Sequence, residues 1–143
     1  MLLGTFAPKL DEKGRVILPA KFWDEFSGGL VMTRGRDRCV YVYSEREFEQ
    51  LHERIRTAPM TTKEGRDWVR LFLSGATQEI PDKQRRVTVP AMLRDYAGLS
   101  RDLTMIGAGS HAEIWDTAAW DAFYAATESG YADADGEVIA GLF

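Results

Sequence analysis

The stretch Asp11-Glu12-Lys13-Gly14-Arg15-Val16-Ile17-Leu18-Pro19-Ala20 recurs 71 positions later as Asp82-Lys83-Gln84-Arg85-Arg86-Val87-Thr88-Val89-Pro90-Ala91. The Asp, the Arg, the Val after it, the Pro and the Ala fall in register. At the same offset Gly4 falls on Gly75 and Lys21-Phe22 on Met92-Leu93. After a one-residue insertion, Tyr41-Val42-Tyr43-Ser44 falls on Glu113-Ile114-Trp115-Asp116, and Phe48 and Leu51 fall on Trp120 and Phe123. The chain is therefore a duplication, with one unit over about residues 4–51 and a second over about 75–123, and self-similarity of this kind outranks the assignment of any single element.

Each copy, at about 48 residues, is near the lower limit for a self-sufficient core, so the two are expected to interlock into one folding unit. With 45% hydrophobic residues, among them seven Phe, five Tyr and four Trp, a 143-residue chain can bury a real core, which excludes global disorder. Cys39 is the only cysteine, which rules out an internal disulfide and a cysteine-based metal site. Apolar runs are only a few residues long and no basic-then-apolar leader is present, so a cytoplasmic protein without a membrane partner is expected.

The net charge of −4 argues at first against a polyanionic partner. Residues 121–143, however, hold five acidic residues and no Lys or Arg, and with those five set aside 18 basic residues face 17 acidic ones. The basic residues crowd the two motifs: Lys9, Lys13, Arg15 and Lys21 around the first, Lys83, Arg85, Arg86 and Arg94 around the second. Local clustering of this sort, rather than net charge, decides affinity for a polyanion.

Thr5 to Leu10 and Arg15 to Leu18 read as strands flanking a tight turn in which Gly14 supplies a residue free to take positive φ. Pro19 suits the first position of a short helix, with Phe22, Trp23 and Phe26 facing inward. Leu30 to Thr33 and Val40 to Tyr43 form a second strand pair around Arg34-Gly35-Arg36-Asp37-Arg38. Ser44-Glu45-Arg46-Glu47 is a capping box opening a helix with Phe48, Leu51 and Ile55 on one stripe, ended at Thr57-Ala58-Pro59. A connector over 52–74 carries a further helix from about Thr62 to Leu73. In the second copy Asp116 is expected to cap a helix bearing Trp120, Phe123 and Tyr124, followed over 124–143 by an acidic, loosely ordered tail.

Three functions compete. Enzymatic chemistry would need paired carboxylates or a histidine with partners, whereas His52 reads as a helix-surface residue and His111 as a strand residue, and no phosphate loop, nucleophile elbow or metal-ligand spacing is present. No catalytic residue, metal, cofactor or small-molecule substrate is expected. Nucleic-acid binding would use an Arg at a rigid turn, whose fork can bond O6 and N7 of guanine for about 1 to 3 kcal/mol of discrimination. Asp11 and Asp82, four residues before Arg15 and Arg86, could orient the guanidinium or close the turn, or form ordinary surface ion pairs. A protein-interaction module would rely instead on exposed aromatics.

The paired Asp-x-x-x-Arg turns, each leading into Val-x-x-Pro-Ala, together with Leu3-Gly4-Thr5 and Pro8-Lys9-Leu10, resemble the MraZ family of bacterial transcriptional regulators. The resemblance covers the chain to about residue 124, and a single motif would indicate only the wider SpoVT-AbrB, or swapped-hairpin, family. It implies a mainly β, α+β fold: two tandem SpoVT-AbrB units in a pseudo-symmetric β-barrel with flanking helices. It also implies a ring-shaped homo-oligomer, nucleoid-associated in the cytoplasm, on direct repeats of double-stranded DNA upstream of the division and cell wall gene cluster. Arg15 and Arg86 fall on the family's motif arginines, with Lys13 beside the first.

On these expectations Arg15 and Arg86 read guanine edges while Lys13, Lys83 and Arg85 engage phosphates. Arg85 occupies the place of Gly14, and a non-Gly residue at positive φ is strained, so the second turn is expected to differ in shape, which ranks Arg15 above Arg86. An antitoxin-like repressor on the same fold, with a protein partner on its acidic tail, is the alternative.

Overall fold

The valines that follow the two motif arginines face one another. In the computed structural model, which describes residues 1–142, β1 (Thr5–Phe6) is followed by β2 (Arg15–Ile17), and β2 pairs antiparallel with β6 (Arg86–Thr88) in the register Arg15↔Thr88, Val16↔Val87, Ile17↔Arg86. With copies offset by 71 residues, exchanging the repeats maps this register onto itself, so a pseudo-two-fold axis passes through Val16 and Val87. The ladder extends symmetrically: Leu18 N–H donates to Arg85 C=O and Val89 N–H to Gly14 C=O, both at 2.8 Å.

The other strands are β3 (Leu30–Arg34), β4 (Val40–Ser44), β5 (Thr77–Glu79), β7 (Leu103–Gly107) and β8 (Ala112–Asp116). With β1 they form one antiparallel sheet in the order β1-β7-β8-β4-β3-β5, which also reads the same when the repeats are exchanged. Its centre is the β4–β8 pair, where Tyr41 faces Glu113. Each repeat lends its first strand to the other: β1 pairs with β7 and β5 with β3.

This exchange corrects two expectations. The strands flanking each motif turn are not a local hairpin, because β1 and β2 pair with different partners from the second repeat. Nor does the sheet close into a barrel: β1 and β5 are its two edges, and β2 and β6 pair with each other as a separate ribbon. Pairing beside the first edge runs on past the end of β1: Pro8 has no N–H to give, but its C=O accepts from Leu103 N–H at 3.1 Å. Leu10 N–H still reaches Arg101 C=O at 2.8 Å beside the first edge, whereas Pro81, at the equivalent position, has no donor to offer.

The core fills the space between ribbon and sheet. Val16, Leu18, Val87 and Val89 come from the ribbon and its extensions, and Val40, Val42, Met105 and Ile114 from the sheet. Phe22 and Phe26, around α1 (Trp23–Phe26), and Leu93 and Ala97 of α4 (Ala91–Ala97) close the sides. Trp23 is only half-buried, and Pro19 and Pro90 stand at the N-cap rather than the first helical position. Side chains such as these contribute about 1.5–3 kcal/mol each when fully buried.

The longer helices cover the sheet's opposite face. Strand alternation sends Tyr43 to that side, where it meets Phe48 of α2 (Glu45–Thr57) and Phe72 of α3 (Lys63–Ser74) at ring separations of 5.7 and 6.3 Å. Ser44 caps α2 by accepting from Glu47 N–H at 3.2 Å, and Thr62 caps α3 by accepting from Gly65 N–H at 3.1 Å. Asp116 precedes α5 (Thr117–Ala132) but does not cap it, because its Oδ1 is taken by Ser100 N–H at 3.0 Å. Trp120 and Phe123 of α5 pack on Trp115 of β8 at 5.4 Å. No helix among the described residues is long and apolar enough to cross a membrane.

Candidate nucleic-acid interface

Each motif turn is built around one aspartate. Asp11 N–H donates to Arg15 C=O at 2.9 Å and Gly14 N–H to Asp11 C=O at 3.0 Å, the pattern of a type I turn ending in a left-handed residue. The Asp11 side chain closes it from inside, its Oδ1 accepting from the N–H groups of Lys13 (2.9 Å) and Arg15 (2.8 Å). Its second oxygen, Oδ2, accepts from Arg15 Nε at 2.9 Å. One carboxylate thus shapes the turn and holds the guanidinium that the turn presents.

The second turn repeats this bond for bond, which corrects the expectation of a different shape. Asp82 N–H reaches Arg86 C=O and Arg85 N–H reaches Asp82 C=O, both at 3.0 Å. Asp82 Oδ1 accepts from Gln84 and Arg86 N–H groups at 2.9 Å, and Oδ2 from Arg86 Nε at 2.7 Å. Arg85 adopts φ 63° where Gly14 has φ 77°. Its strain is offset by bonds that leave the residue no alternative: besides its backbone contacts, its Nε donates to Leu18 C=O of the other repeat at 3.0 Å. Arg85 is accordingly half-buried and folded back on the protein.

The carboxylates are tuned by these contacts. The Arg15 N–H holds Asp11 below the usual aspartate range, with the Arg15 guanidinium and the Lys13 N–H adding to it against some desolvation. The Arg86 and Gln84 groups do the same for Asp82.

The ribbon brings the two arginines together. Strand alternation turns Val16 and Val87 into the core and leaves Arg15, Ile17, Arg86 and Thr88 on the outer face. In the register Arg15↔Thr88 and Ile17↔Arg86, the arginines are diagonal neighbours, a relation that spans about 7–8 Å in such pairs. Both line one open groove, with Lys9, Asp11, Glu12 and Arg101. Two like charges this close are tolerable because each has its own aspartate. Lys13 and Lys83 are exposed on their turns but are not counterparts, since Lys13 aligns with Gln84 and Glu12 with Lys83.

Two further side chains at the turns carry no motif signal. Gln84 Oε1 accepts from Arg86 Nη2 at 2.9 Å, a bond that aligned Lys13 cannot offer Arg15. Arg94 of α4 lies against Gly14; its place in the basic cluster was the signal, but its helix lies outside the second turn in sequence and touches the other repeat. His52 lies on the surface of α2. His111 stands just before β8 and bonds Glu113 at 3.2 Å, beside Trp115 Nε1 at 3.0 Å on the same carboxylate. Burial pushes Glu113 up, but the bonds from His111 and Trp115 outweigh it and hold its carboxyl below the usual range. Among the described residues no group of three or more His, Cys, Asp or Glu could hold a metal ion.

Comparison with known proteins agrees with the duplication. A family described as MraZ protein, with an antitoxin-like character suggested for it, matches twice in succession, over residues 1–71 and 72–139. Proteins named transcriptional regulator MraZ align from end to end: that of Leifsonia xyli subsp. xyli is 64% identical over 143 residues, covering 100% of both chains. Those of Clavibacter michiganensis subsp. michiganensis and Micrococcus luteus are 61% and 56% identical over the same 143 residues, again covering 100% of both chains. These relatives are named as regulators, not enzymes. The chain belongs to the MraZ family.

Proposed function

We propose that the protein is a sequence-specific DNA-binding transcriptional regulator built from two tandem SpoVT-AbrB units. The observation that carries this reading is the pair of turns each braced by its aspartate, whose arginines share one outer face of the β2–β6 ribbon. With Nε held by aspartate, Arg15 offers both terminal nitrogens to a base edge and Arg86 offers Nη1 and the Nη2 hydrogen that Gln84 does not take, so each reads a guanine in the major groove. Lys13 and Lys83 engage phosphates. Arg85, committed to Leu18 through Nε, contributes mainly to the shape of its turn.

The target is a set of direct repeats upstream of the division and cell wall gene cluster, bound in the nucleoid by a ring-like homo-oligomer. One protomer of net charge −4 binds weakly; several copies in a ring make later contacts intramolecular and gain about 10²- to 10⁴-fold in avidity. Support for self-assembly comes from exposed apolar side chains on the helical layer, Trp68 and Leu71 of α3 and Phe123 and Tyr124 of α5. Sedimentation at micromolar concentration is expected to give an oligomer; a monomer would reject the ring.

Affinity for a duplex carrying spaced G-rich repeats is expected to exceed that for a scrambled duplex and to fall linearly in a log–log plot against salt. Binding that is flat between low and moderate salt would overturn the proposal. A second reading, an antitoxin-like module holding a protein partner, is favoured by the exposed Val138 and Ile139 within the acidic segment. Truncation after Ala132 leaves α5 whole and separates the two: DNA binding survives under the first reading, while partner binding is lost under the second.

A further inference from the structure

The Nε of Arg94 is the one side-chain nitrogen or oxygen among the described residues that is buried without a hydrogen-bond partner. The guanidinium lies face-on against Gly14: a Cβ built there would sit 2.9 Å from Arg94 Cζ, 3.1 Å from Nη1 and 3.2 Å from Nε. The arginines of the two motif turns have acceptors, Arg15 at Asp11, Arg86 at Asp82 and Arg85 at Leu18 C=O. The Arg94 side chain forms neither an ion pair nor a hydrogen bond with any described residue, and its terminal nitrogens are not sealed from solvent as Nε is.

Packing alone does not require a charge at this place. At the 71-residue offset the counterpart of Arg94 is Trp23, likewise four residues after the motif proline, with no charge at all. The chain thus brings to this place a guanidinium whose terminal nitrogens none of its own groups takes, which leaves them open to an acceptor from outside. What borders Arg94 is the first motif turn, one residue from Arg15.

Building on the DNA-binding reading, we propose that Arg94 is a backbone contact for the first turn, its terminal nitrogens taking a phosphodiester oxygen next to the base read by Arg15. Gly14 then has two duties: it takes φ 77°, and it leaves the flat seat on which the guanidinium rests. In the second turn the residue at that position is Arg85 itself, already bonded to Leu18. The two turns are therefore alike in how they hold their base-reading arginine and unlike in how they grip the backbone.

The test is an equilibrium titration of the full chain with repeat-bearing and unrelated duplexes over about 50 to 200 mM salt, with melting temperature measured alongside. Arg94→Met is expected to melt at or above the wild-type temperature, because it removes an unsatisfied donor. It should weaken binding to both duplexes alike and lower the slope of log K against log salt by about 1. Arg94→Lys keeps the charge and should restore the slope. Wild-type affinity and slope in Arg94→Met, loss confined to the repeat-bearing duplex, loss that tracks a falling melting temperature, or a slope in Arg94→Lys as low as in Arg94→Met would each overturn the proposal. Failure of the DNA reading itself would be seen separately, in a wild type that binds neither duplex in a salt-dependent way.

Discussion

The carboxylates of Asp11 and Asp82 each accept three hydrogen bonds within five residues, and that density gives the turns their pH behaviour. Both carboxyls are held below the ordinary value by the N–H of the arginine four residues on. With the folded pKa below the unfolded value of about 3.9, the bracing is complete above that pH and is lost only as pH falls through the lowered value. Carboxyl-carbon NMR titration should therefore find both aspartates among the most acidic in the chain; a midpoint at or above about 3.9 for either would contradict the bracing. Arg85 carries a different prediction. Its left-handed backbone costs of the order of 1–3 kcal/mol, while its bond to Leu18 C=O returns about 0.5–1.5 kcal/mol and a glycine there adds unfolded-state entropy. Arg85→Gly should thus change stability by less than about 1 kcal/mol in urea denaturation. A loss above about 2 kcal/mol would mean that the cross-repeat bond does far more than hold a turn.

At the scale of elements, the repeats exchange strands, so each half keeps only one strand pair of its own, β3–β4 or β7–β8. β1 needs β7 and β5 needs β3, while β2 and β6 have only each other. Residues 1–74 alone are expected to be unfolded, or to dimerise with Val16 facing Val16 across a true two-fold; circular dichroism with sedimentation distinguishes these. A folded, monomeric half would contradict the exchange. Element positions are largely legible in the sequence, because Pro19, Ser44, Thr57-Ala58-Pro59 and the alternation around Val40–Ser44 are local signals. The pairing is not, since a turn of five residues looks like a hairpin whether or not its arms later separate. Asp116 departs from expectation for a related reason: a cap is a local motif, but Ser100, sixteen residues away, competes for the same oxygen. In the site, the aspartate–arginine spacing announces the bracing, whereas the seat of Arg94 and the acceptor for Arg85 come from the other repeat and leave no local trace.

For the molecule as a whole, the duplication produces a two-fold frame in which one face is set apart. The ribbon that completes the core on its inner side carries Arg15 and Arg86 on its outer side, so the residues that stabilise the fold and those proposed to meet DNA alternate along the same strands. An acidic C-terminal segment then coexists with a basic groove because the two lie far apart in the chain and Asp11, within the groove, is spent on bracing. Two turns that read DNA together should show it in a binding titration on a duplex with spaced G-rich repeats, using wild type, Arg15→Ala and Arg86→Ala. Given the matching geometry of the turns, both substitutions should abolish the preference for the repeats, each costing about 1 to 3 kcal/mol for the guanine that is no longer bonded. A preference abolished in Arg15→Ala alone would show that matching geometry does not carry matching function, and repeat binding unchanged by either substitution would make the braced turns ordinary surface loops.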